Sequence, residues 1–140
     1  MPDQAVRGDT KKWSIAFQDA QGAALDLSGC TVWFTAKTVI SNDLTDADAI
    51  IQHIITIDGT GAVVSADGFE IGGIHPVTQA VATTAAEGVL TQILSPADST
   101  LISAGTYIYD IQIETASGEV YTPILGQTIT FVEDVTRTML

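Results

Sequence analysis

The chain has 140 residues, 46% of them hydrophobic and only 16% charged, with seventeen acids against five bases and a net charge of −12. That balance repels nucleic-acid phosphates, and no cluster of Lys or Arg is present to overcome it, which excludes nucleic-acid binding. One cysteine, Cys30, excludes an internal disulfide framework, and no run approaches the ~18 apolar residues of a membrane-spanning helix.

The composition is that of a folded chain, long enough for one domain over residues 1–140. Low charge with positive mean hydropathy suggests more apolar surface than a free monomer needs, as in a subunit of an assembly. The N-terminus has no basic region followed by an apolar core, so no signal peptide is expected and the chain is made in a reducing cytosol.

Residues 1–9 read as a polar, proline-bearing arm. Arg7-Gly8-Asp9 spells an adhesive tripeptide, but a three-residue match is weak, and Gly8 reads as a hinge into the first strand. Trp13, Ile15 and Phe17 then alternate with Lys12, Ser14 and Ala16, the period of a half-buried strand. Asp19-Ala20-Gln21-Gly22 turns it, and Ala23–Leu27 is expected to continue as a short strand. In Cys30–Lys37, Val32, Phe34 and Ala36 fall on one face and Thr31, Trp33, Thr35 and Lys37 on the other. Trp33 is thereby left outside the core. A neighbouring loop covers the indole, or the indole anchors an interface.

Ser41–Asp48 carries three aspartates without the glycine and terminal glutamate of an EF-hand loop, and reads as a solvated acidic loop or a capped helical turn. Ala49–Ile57 is β-prone, with His53 as a structural residue inside it. Asp58-Gly59-Thr60-Gly61 and Asp67-Gly68 are turn signals bracketing a brief Ala62–Ser65 segment. Gly72–Ala86 then contains no Asp, Glu, Lys or Arg, and Pro76 blocks a regular helix there. This uncharged stretch is either an extra hairpin or flap over the sandwich, or an extended arm against a neighbouring subunit. Gly88–Leu94 resumes a strand, and Ser95-Pro96 has the N-cap and first-position residues of one short helical turn.

In Gly105–Glu114, Tyr107, Tyr109, Ile111 and Ile113 alternate with Ile108, Asp110, Gln112 and Glu114. Thr115-Ala116-Ser117-Gly118 turns the chain into a return strand over Glu119–Leu125, and a separate last strand is expected over Thr128–Val132 before a polar tail at 133–140. The strands of Trp13, Val32 and Ile129 are the expected cover for this hairpin's apolar face. The count of about seven or eight short strands with at most one helical turn predicts an all-β, antiparallel β-sandwich.

No chemistry is marked. The only histidines, His53 and His75, lie in apolar stretches without a nucleophile motif, and one cysteine with two scattered histidines does not make a zinc site. No phosphate-binding glycine loop occurs. The expectation is a non-enzymatic protein with no cofactor and no metal.

Several fragments, in order, carry a resemblance: RGDTKKWSIAFQDAQG, LDLSGCTVWFTAK, DADAIIQ, GVLTQILSPADSTLISAGTYIYDIQIETASGEVYT and DVTRT. Together they resemble the immunoglobulin-like domain at the N-terminus of phage baseplate upper proteins and related small tail-associated virion proteins. Residues 59–87 fall outside the resemblance and are expected to be an insertion or flap. The resemblance implies an immunoglobulin-like sandwich in a virion, made in the host bacterial cytoplasm, that docks on other tail, baseplate, neck or capsid proteins as a symmetric homo-oligomer. A capsid decoration role or a carbohydrate-binding adhesion module are the alternatives. Trp33 and, in the uncharged stretch, Ile74, His75, Pro76, Val77 and Val81 are the candidate interface residues, with no membrane or nucleic-acid partner.

Overall fold

A computed structural model describes residues 4–6, 10–19, 21–38, 50–96 and 104–132. Its strands are β1 (Gln4–Val6), β2 (Lys11–Ala16), β3 (Thr31–Thr38), β4 (Ile51–Ile57), β5 (Val63–Asp67), β6 (Phe69–Ile71), β7 (Gly73–Ile74), β8 (Val81–Ala82), β9 (Val89–Leu94), β10 (Gly105–Glu114) and β11 (Val120–Val132). A 3-10 turn at Ala85–Glu87 precedes β9. A six-stranded sheet runs β1-β11-β10-β3-β4-β5, a three-stranded sheet runs β2-β9-β6, and β7 and β8 pair alone. The architecture is an all-β sandwich, antiparallel except where β1 runs parallel to β11.

Period-two alternation builds the two inner faces. Val32, Phe34 and Ala36 of β3 are fully buried, as are Ile111 of β10 and Ile129 of β11. Trp13 and Ile15 of β2, Leu90 and Leu94 of β9 and Phe69 of β6 form the facing layer. Phe34 ties the layers together: its ring lies 5.3 Å from Tyr109 and meets Trp13 edge-on at 6.3 Å. Such pairs favour offset or edge-to-face geometry beyond the area they bury.

The hairpin's cover therefore differs from the expectation. The Trp13 strand lies opposite, but β3, with Val32, and the Ile129 segment of β11 belong to the hairpin's own sheet. Alternation tells which side of a strand is apolar and is silent on which layer holds it.

The return and last strands are one strand, β11. Its register against β10 shifts between Tyr109 and Ile111 and again between Ile111 and Ile113. Two bulges let the strand pass through Pro123 and Gly126 without ending. β1 pairs with β11 only at Thr130–Val132, so Pro123 lies where β11 has a single neighbour among the described residues and its missing N–H is tolerated. Residues 4–6 of the expected arm form β1, while Ala23–Leu27 makes one isolated bridge, Gln18 to Ala24, in place of the expected strand. The Ser41–Asp48 loop and the turn beyond Pro96 lie outside the described residues.

The chain changes sheets between β5 and β6 at one residue, Gly68. Its φ is +77°, and a Cβ there would lie 2.3 Å from the His53 ring. His53 is buried in the core, 5.9 Å from the ring of Phe34 and edge-on to Phe69 at 6.3 Å, with its Nδ1 3.5 Å from Nε2 of buried Gln92. Within the segment 59–87, then, residues 63–71 supply a strand to each sheet and place Phe69 in the core. Before β5, Asp58 shapes the turn: its Oδ1 accepts from Thr60 N–H (2.8 Å), Thr60 O–H (2.6 Å) and Ala62 N–H (3.1 Å). Those donors, led by the Thr60 hydroxyl, hold its carboxyl below the usual 3.8.

Candidate interaction surfaces

The β7–β8 hairpin is fastened over the outer face of the three-stranded sheet. Gly72 N–H donates to Val89 O (2.8 Å), Thr91 Oγ1 donates to Gly72 O (2.8 Å), and Ile74 N–H donates to Ser14 Oγ (3.2 Å). Gly73 permits this approach, since a Cβ there would lie 2.5 Å from Thr91 Oγ1 and 2.6 Å from Ser14 Oγ. The tip is closed by His75: its N–H donates to Ala80 O, its carbonyl accepts from Gln79 N–H, and its Nδ1 accepts from the N–H groups of Val77 and Thr78, both at 3.1 Å. The ring performs the turn-capping role more often seen from Asp or Asn.

With the backbone so held, the apolar side chains of the hairpin turn to solvent. Val77 is 81% exposed, Val81 70% and Ile74 52%, and Pro76 stands beside them. Five of the six sequence candidates thus gather on one hairpin. Ala82, at its base, is buried.

Trp33 lies elsewhere. It sits in the middle of the six-stranded sheet, paired with Ile54 of β4 and Gln112 of β10, on the face away from the core. Trp33 and Ile54 are both half-buried and form the apolar centre of a row continued by Asp67 and Gln112. The adjacent row carries Gln52, Thr35 and Asp110, with Gln52 Nε2 donating to Thr35 Oγ1 at 3.4 Å. Because the flap covers the other sheet, Trp33 and the flap are on opposite sides of the sandwich. They are two surfaces.

A third feature escaped the sequence reading. A groove of about 740 Å³ opens between the Asp19 turn and the β10–β11 turn, with Phe17, Leu25, Ile113 and Pro123 in its wall and Tyr121 and Glu119 on its rim. The Tyr121 hydroxyl donates to Glu119 Oε2 and Ser117 Oγ donates to Oε1. The Tyr121 bond, then the Ser117 bond, holds the Glu119 carboxyl below its usual range, and the same carboxylate raises the Tyr121 hydroxyl. The groove's residues come from two stretches far apart in the chain, 16–25 and 113–123, so no single segment marks it.

The reactive side chains do not converge. His53 is in the core and His75 in the flap, and no group of three His, Cys, Asp or Glu among the described residues suits a metal. Cys30 is buried, and desolvation pushes its thiol up, away from the nucleophilic thiolate. No helix among the described residues is long and apolar enough to cross a membrane. Comparison with protein families, curated proteins and solved structures finds no match to this chain.

Proposed function

We propose that this chain is a non-enzymatic bacteriophage virion structural protein with an immunoglobulin-like sandwich. It acts as an assembly or adaptor subunit of the tail, baseplate or neck by contacts with other virion proteins, as part of a symmetric homo-oligomer. Capsid decoration is the same activity at another position on the particle. The ordered sequence resemblance supplies the setting. The observation that carries the reading is the flap: a hairpin pinned by backbone bonds that holds Ile74, Val77 and Val81 out to water. Exposed apolar side chains on a fixed support fit a docking surface, because little ordering entropy is lost when a partner covers them.

Purified particles test it. Wild-type protein should be found in virions at a fixed copy number by mass spectrometry. Val77→Ser combined with Val81→Ser should lower its incorporation about five- to thirtyfold, the effect of losing about one to two kcal/mol of contact. Undiminished incorporation of the double variant would remove the flap from the interface. Absence of the wild-type protein from particles would end the virion reading.

A second reading rests on the groove. Half-exposed Tyr121 beside the Glu119 carboxylate is a stacking ring with a hydrogen-bond acceptor, the pairing a sugar ring uses. Glycan-array binding that is lost in Tyr121→Ala would favour an adhesion module.

A further inference from the structure

The sandwich is lopsided, six strands over three, and its free edges are not alike. In the two larger sheets, four stretches of strand lack a second neighbour among the described residues besides three-residue β1. β2 carries Lys11 and Lys12. β6 has three residues and exposes Glu70. The first part of β11 contains Pro123. Lysine, shortness, acidic residues and proline are the devices that keep an edge from pairing with another strand.

β5 has none of these before its last residue. Its sequence is Val-Val-Ser-Ala-Asp, all five residues are exposed, and the run Gly59–Ala66 has no ionisable side chain in a chain of net charge −12. Val64 is 65% exposed and Val63 46%. One irregularity is present, a register shift against β4 between Thr56 and Ile57, at the start of the strand. From Ser65 to Asp67 the pairing with β4 is regular, with Ala66 opposite buried Ile55 and Ser65 opposite Thr56. The edge therefore offers backbone donors and acceptors, an uncharged surface, and an inner face continuous with the core.

We propose that β5 is a homotypic pairing edge: two copies of this chain join antiparallel through β5, about a two-fold axis at Ser65, into one continuous sheet. The sequence suits itself in this register. Ser65 meets Ser65 of the second copy, Val64 meets its Ala66, and Val63 meets its Asp67. The two Asp67 carboxylates end about 13 Å apart along the strands, beyond the ~8 Å screening length at physiological salt. No like charges face each other, since each Asp67 meets Val63. Val64, the more exposed of the two valines of β5, is covered by Ala66 of the second copy, a position that lies opposite buried Ile55 of its own sheet. The inference deepens the proposed assembly role and rests on it only for its purpose. The occupant is a second copy.

Light scattering behind size exclusion, on the full chain, reads the outcome directly. The expected mass is twice the 14.7 kDa of the chain. Ser65→Cys should form a disulfide-linked dimer on mild oxidation, because antiparallel partners at the axis have Cα atoms about 4.5–5.5 Å apart, inside the range a disulfide spans. Buried Cys30 keeps the wild type uncrosslinked as the control. Val64→Lys should yield a monomer that still unfolds cooperatively, with a melting temperature independent of protein concentration, while the flap variant Val77→Ser stays dimeric. A monomeric wild type overturns the pairing, and so does a dimer that survives Val64→Lys or that Ser65→Cys does not trap. Those results leave the flap docking intact, since that is read from incorporation into particles.

Discussion

Two hairpins of this protein use apolar side chains in opposite ways. β10–β11 points Tyr107, Tyr109, Ile111 and Ile113 into the sandwich, where all four are buried, and shows Gln112 and Glu114 to water. β7–β8 points Val77, Val81 and Ile74 outward and is held by hydrogen bonds from its backbone to Ser14, Val89 and Thr91. In the first, hydrophobic burial fixes the backbone. In the second, backbone and side-chain hydrogen bonds fix it, and the apolar groups are left for something else. The difference separates residues that hold the fold from residues that serve contacts, which hydropathy alone does not.

The contrast breaks most clearly at Tyr109. Its ring packs on Phe34, and truncation leaves a large cavity beside a fully buried neighbour. Tyr109→Ala should cost about 3–5 kcal/mol, as other large aromatic truncations do. For a chain of this size that lowers the melting temperature by about 10–17 °C. A shift under a degree would mean that the ring is not part of the core. Val77→Ser, by the same measurement, should stay within about 0.5 kcal/mol of the wild type.

Gly68 sharpens the boundary between the two regimes. If residues 63–71 belong to the sandwich, the corner that passes the chain from one sheet to the other is a core position. A methyl group there meets the His53 ring and forces a left-handed backbone on a residue with a side chain. Gly68→Ala should destabilise by about 2–4 kcal/mol, from overpacking and strain together. Urea unfolding measures this. A neutral result would place the corner with the flap.

Where period-two alternation ran unbroken, the sequence was a sound guide. β2, β3 and β10 bury the sets expected, and Trp33 lies on the outer face as its phase requires. The same rule, applied to Ile51, His53, Ile55 and Ile57, puts His53 inward, where it is found. It failed where a strand changes phase. Along β11 the residues paired with inward Tyr107, Ile111 and Ile113 are Ile129, Ile124 and Tyr121, so the pairing moves from odd to even positions and back. It was also blind to β6, three residues held by Phe69, and to the groove under Tyr121, made from distant segments. Of the candidate surface, composition revealed the flap because an uncharged run is visible in one dimension. It could not reveal that Trp33 looks the other way.

The smallest effect tests how the flap is held. His75 Nδ1 accepts two N–H groups at the tip, from Val77 and Thr78, and no apolar burial supports that turn. His75→Ala removes the acceptor and leaves both donors to water, a loss of about 1 kcal/mol confined to the hairpin. His75→Asn offers a shorter acceptor to the same two donors and should restore part of it. Global unfolding barely reports so local a change. Amide exchange does: Val77 and Thr78 should exchange about fivefold faster in the alanine variant, with Leu90 and Ile111 in the sheets unaffected. If incorporation into particles falls in step with that exchange, while Val77 and Val81 are intact, the contact requires the tip preorganised. If exchange rises and incorporation does not fall, the side chains suffice and the cap matters only to the free chain.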